Sequence, residues 1–150
     1  QIEAMVQPKS VQPWLFDSLV EYFGQEVLHP MGIIGTPNPA LNRGDALLYL
    51  LTTLDAPRET IERIIRYWYL LVPSFLLLDD IMDLREDRQA SEETALGYYG
   101  FDAKGVQAAI AAVENNFSQM EEVNLLLGQF FRKALETKKR TPYFQSILND

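Results

Sequence analysis

The chain has 150 residues with no cysteine, one histidine and a formal net charge of −8. Without thiols there is no disulfide, no thiolate metal site and no cysteine nucleophile. The lone His29 makes no histidine cluster for zinc, so any bound metal is a hard, oxygen-liganded ion of the Mg²⁺ kind, and the acid excess repels a phosphate backbone, which argues against nucleic-acid binding.

The length suits a single domain, 1–150, with its own core. No initiator methionine opens it, so a fragment of a longer chain is also expected. Residues 1–12 are polar and carry Pro8, which reads as a flexible lead-in. From Pro13, Trp14, Leu15, Leu19, Tyr22 and Phe23 recur at helical spacing, predicting a first helix that ends near Gly24 or Leu28. His29 to Pro39 holds three prolines and two glycines and forms the longest irregular connection. Asn38 and Pro39 are an N-cap and first-turn pair for a second helix through Leu54. Asp55 and Pro57 open a third, with Ile61, Ile64, Ile65, Trp68, Tyr69 and Leu71 as its body.

Pro73 lacks an amide and crowds the preceding turn, so the third helix should kink or divide there. A fourth segment then runs from Ser74 to Arg88. Ser91 caps a short helix to Tyr99, closed by Gly100. Asp102 caps the longest pattern, Ala103 to about Lys138, with Val106, Ile110, Val113, Phe117, Met120, Leu127, Phe130, Phe131 and Leu135 on its apolar side. Thr141-Pro142 restarts a closing helix. The expected architecture is all-α, a compact bundle of about five to seven helices around a central aspartate-rich one. The longest apolar run, Tyr67 to Leu78, is too short for a bilayer span, and no signal-peptide order opens the chain. A cytoplasmic location is expected.

The chemistry concentrates in SFLLLDDIMDLREDR, Ser74–Arg88. At 100° per residue, Asp79, Asp80, Asp83, Glu86 and Asp87 project within an arc of roughly 120°. Phe75 and Leu76, one turn upstream, lie beneath that wedge as an apolar floor. Like charges on adjacent turns repel by a few tenths of a kcal/mol per pair, and a bound cation would compensate them.

Asp79-Asp80-Ile81-Met82-Asp83 reads D-D-x-x-D, and the stretch around it resembles the aspartate-rich motif of class I isoprenoid synthases, the polyprenyl synthases and terpene cyclases. The resemblance covers about fifteen residues. It implies Mg²⁺ and an allylic or prenyl diphosphate ligand, the first and last aspartates of the motif holding the ion. Carried over, Asp79, Asp80, Asp83 and Asp87 are the candidate metal ligands. Phe75 and Leu76 would face the hydrocarbon, and Lys138 and Arg140 would meet the diphosphate. Glu114, Ser118 and Glu122, at i, i+4 and i+8, are similar to the second metal motif of terpene cyclases, with Glu114 departing from the Asn or Asp expected first.

Two other readings stand beside this one. Glu59-x-x-Glu62 followed by Asp80-x-x-Asp83 is similar to the acidic pairs of all-α NTP pyrophosphatases, which are usually dimeric; Asp80 there replaces a glutamate. Alternatively the acidic face is solvated, or docks a basic partner, and the chain is a helical interaction or regulatory domain with salt-sensitive association.

Overall fold

The computed structural model describes residues 2–83, 96–100 and 102–148. The protein is all-α. Among the described residues its α-helices are α1 (Ile2–Val6), α2 (Pro13–Phe23), α3 (Arg58–Met82), α4 (Ala103–Val123), α5 (Leu125–Lys139) and α6 (Pro142–Leu148). The only β pairing among them is an isolated bridge between Met31 and Ile34. The chain divides into two units, Gln1–Tyr69 and Leu70–Asp150. Among the described residues no helix is long and apolar enough to cross a membrane.

In the first unit, α2 buries Leu15, Phe16, Leu19 and Tyr22, an i, i+1, i+4, i+7 stripe that follows from 3.6 residues per turn. Their partners are Leu48 and Tyr49, and Ile61 and Ile65 of α3. Val6 of α1 is in the core, and the amides of Val11 and Gln12 both donate to the Thr52 carbonyl, at 2.7 and 3.0 Å. The buried Gln12 side chain donates from Nε2 to Leu54 O and Ala56 O, at 2.8 and 2.9 Å. Burying an amide is tolerable here because its hydrogen-bonding groups find partners.

The second helix expected over Asn38–Leu54 is instead a pair of 3₁₀ helices, Pro39–Asn42 and Asp45–Thr53. Asn38 caps the first, accepting from Ala40 N at 3.2 Å. Gly44 interrupts the pattern. In the second 3₁₀ helix Asp45 and Leu48 are buried while Leu47 and Leu50 are exposed; both pairs are spaced by three, the period of a 3₁₀ helix. Upstream, Gly35 takes φ +93°, and a Cβ there would come within 2.9 Å of the Tyr22 ring, so conformation and space both demand glycine.

In the second unit Pro73 does not end its helix. α3 continues to Met82 with Pro73 inside it. The missing amide leaves Tyr69 O without its i+4 donor; beside it Ser74 Oγ donates to Leu70 O at 2.7 Å and accepts from Asn116 Nδ2 of α4 at 3.1 Å. The single long helix expected from Ala103 to Lys138 is in fact two. Asn124, extended at φ −149°, ψ 98°, donates its amide to Met120 O at 2.7 Å and accepts from Leu127 N at 3.1 Å through Oδ1. One residue thus closes α4 and caps α5. Where α5 passes α4, a Cβ on Gly128 would lie 2.5 Å from the Glu121 amide nitrogen, so only glycine permits the approach.

Candidate functional site

The helical period sorts the last turns of α3 into two faces. Ser74, Leu77, Asp80 and Ile81 are buried. Phe75, Leu78, Asp79 and Met82, at i, i+3, i+4 and i+7, line a groove of about 530 Å³, a size typical of small-molecule sites. Phe117 of α4 adds to its lining, as do Phe130, Phe131, Ala134 and Leu135 of α5. The aromatic rings interlock. Phe131 meets Phe75 edge-on at 5.4 Å between centroids, stacks on Phe117 at 5.5 Å and is met edge-on by Phe130 at 5.4 Å. Phe75 stays 45% exposed and Phe130 66% exposed, so the apolar wall is open on one side.

Asp79, Thr137, Lys138 and Thr141 supply the polar part of the lining. The threonine hydroxyls are already donating, Thr137 to Lys133 O at 3.1 Å and Thr141 to Lys138 O at 2.7 Å; in this arrangement they offer a ligand lone pairs. Among the described lining residues Lys138 carries the positive charge. Asp79 sits in the last turn of α3, and Thr137 and Lys138 in the last turn of α5. Both helices therefore turn the negative end of their dipoles to this region.

The sequence candidates scatter accordingly. Phe75, Asp79 and Lys138 come together in the groove lining. Asp83 is exposed one turn beyond Asp79, its amide donating to Asp79 O at 3.0 Å. Asp80 is 6% exposed and accepts from Leu96 N at 3.2 Å, on the opposite face from the groove. Leu76 and Arg140 are not among the lining residues. Asp87 and Glu86 lie outside the described residues, as do Arg85 and Arg88. On α4 and α5, Glu114 pairs with Lys139 at 3.2 Å, Glu121 with Arg132 at 3.0 Å, and Ser118 Oγ accepts from Arg132 at 2.8 Å; Glu122 is exposed. In the first unit Glu62 is held by Arg58 at 2.8 Å. Among the described residues no group of three or more His, Cys, Asp or Glu is placed to hold a metal ion. Asp83 follows Asp79 by one turn but is not among the groove-lining residues; one or two carboxylates are what Mg²⁺ takes when phosphate oxygens and water complete its shell.

The threonines and the α5 aromatics were not legible as site residues, because they meet α3 only through the reversal at Asn124, and Phe117 was not because it depends on α4 packing against α3. Asn124 and Gly128 inside one apolar pattern were the available signal.

Asp45, which the sequence did not single out, is fully buried in the first unit. Tyr22 and Tyr69 donate to its Oδ2 at 2.9 and 2.8 Å, and Trp68 Nε1 donates to Oδ1 at 3.1 Å. Burial pushes its carboxyl above the usual carboxylate range, against the three hydrogen bonds, which pull it down. Burial first, and then the Asp45 charge, raise the Tyr22 and Tyr69 hydroxyls well above the ordinary phenol range. With no solvent access, Asp45 anchors structure.

Comparison of the chain with protein-family models, with curated proteins and with solved structures finds no match.

Proposed function

We propose that the second unit binds an amphipathic ligand of the prenyl diphosphate class together with Mg²⁺. The observation that supports the reading is the α3 face itself: Phe75, Leu78, Asp79 and Met82 share one groove with Lys138, while the middle aspartate of D-D-x-x-D, Asp80, is turned inward. The first and last aspartates of the motif, Asp79 and Asp83, are left on the outer side at i and i+4.

In this reading the hydrocarbon lies along Phe75, Leu78, Phe117 and Phe131, losing contact with water, and contributes about 25 cal/mol for each Å² of apolar surface covered. Lys138 meets the diphosphate. Asp79 and Asp83 hold the cation that the negative ends of α3 and α5 require before an anion can approach. When bound, the ion supplies charge neutralisation and polarises the diphosphate oxygens as a Lewis acid. Metal and head group therefore bind as a unit, and diphosphate alone binds poorly.

Thermal melting tests this directly, in EDTA, in Mg²⁺, in geranyl diphosphate without metal, and in Mg²⁺ with pyrophosphate or geranyl diphosphate. A ligand at a hundred times its dissociation constant adds about 2.7 kcal/mol, which is several degrees for a protein of this size. The expected order is no shift with geranyl diphosphate alone, a small one with Mg²⁺ and pyrophosphate, and the largest with Mg²⁺ and geranyl diphosphate. Asp79→Ala should abolish the last. Equal melting in every condition overturns the proposal.

A further inference from the structure

We propose that Tyr143 is a positioning residue for the Asp79 and Asp83 pair, an inference that rests on reading that pair as the cation holder. At the end of α3 a side chain from another helix donates to the backbone carbonyls. The Tyr143 hydroxyl lies 2.6 Å from Met82 O and 3.2 Å from Ile81 O, close enough to donate to the first and share with the second. Asp83 follows Met82 immediately and lies past the final helical residue, in a turn. Its place relative to Asp79 is therefore set by whether that last turn keeps its helical form.

The donor is itself held. Tyr143 packs edge-on against Phe144, with centroids 6.1 Å apart, and Phe144 is buried. Its helix, α6, begins directly after Thr141, which lines the groove. One hydroxyl thus ties the segment that carries part of the polar lining to the helix end that carries the acids. Tyr143 is not among the groove-lining residues, so it acts through the acids and not on the ligand. Two carboxylates sharing one ion gain from being held at a fixed spacing before the ion arrives, and Tyr143 supplies that constraint.

The experiment compares wild type and Tyr143→Phe by calorimetric titration of pyrophosphate in Mg²⁺, and separately of geraniol, which carries the chain without the charge. Tyr143→Phe should bind Mg²⁺-pyrophosphate about tenfold more weakly, the scale of one lost hydrogen bond, and bind geraniol as wild type does. In an Asp83→Asn background, which binds through Asp79 and Lys138 alone, the same substitution should change pyrophosphate affinity by less than about twofold, since a positioning effect vanishes with the group it positions. Unchanged pyrophosphate binding in Tyr143→Phe overturns the inference, as does an equal loss in the Asp83→Asn background or a parallel loss of geraniol. A wild type that takes up geraniol but no Mg²⁺-pyrophosphate removes the underlying reading as well, and is told apart because the defect then precedes any substitution.

Discussion

Asp45 shows how much one buried carboxylate can organise. Its two oxygens take three donors from two helices, Tyr22 of α2 and Trp68 and Tyr69 of α3, and pin the start of the Asp45–Thr53 segment between them. Asp45→Leu removes the acceptor and leaves those three donors without it; each costs about 1 to 3 kcal/mol, so the loss should be at least about 3 kcal/mol in urea unfolding. The pH dependence has a definite sign. Because the folded carboxyl titrates above its ordinary value, the folded state holds this proton more tightly than the unfolded one. The resulting stabilisation is full below the unfolded value of about 4 and is lost as pH rises through the folded one. The stability of wild type relative to Asp45→Asn should therefore fall as pH rises from about 4; a difference that grows with pH would contradict the assignment. Nothing in the sequence marks Asp45, which sits in the run DALLYLL like any surface acid. Its partners lie 23 or 24 residues away, beyond the reach of helical periodicity.

At the scale of elements, caps were readable and breaks were not. Asn38, Asp102 and Asn124 all accept from the backbone at the start of helices; the first two were identified from their position before a Pro or an apolar repeat. Asn124 does not stand out in the sequence, because the repeat continues on both sides of it, through Phe117 and Met120 to Leu127 and Phe130. A period reports which residues share a face, and two antiparallel helices can present the same period as one long helix. Gly128 offers the sharpest check. On an isolated helix Gly→Ala gains about 1 kcal/mol; here the added methyl meets the backbone of Glu121, so Gly128→Ala should destabilise by about 1 to 3 kcal/mol. A gain in melting temperature would mean that α5 does not pass α4 this closely. Pro73 is the converse case. The local rule predicted a kink or a division, and the helix is not divided: it runs on to Met82, with Ser74 and Asn116 hydrogen-bonded beside the proline.

For the molecule as a whole, the two units carry separate features: the first an anchored aromatic and aliphatic core, the second the groove. If the groove takes Mg²⁺ and geranyl diphosphate, the gain in amide protection measured by hydrogen exchange should fall in the second unit, in the last turns of α3, in α5 and around Thr141 to Tyr143. The amides of α2 and of Asp45–Thr53 should exchange at their unliganded rates. Protection appearing in the first unit alone would place the ligand elsewhere. By itself the sequence determined the all-α class, most of the helices and their apolar stripes, because turn residues and a 3.6-residue period are local properties. It also placed Asp79 over Phe75 on one helix face. Only the tertiary structure decided which aspartate meets the groove and which turns to Leu96, because a helix has no preferred side until neighbours pack against it. Packing of α4 on α3 brings Phe117 to the groove, and the reversal at Asn124 brings Phe131 and Lys138 there with Asp79, so the candidate site depends on contacts between residues far apart in the chain.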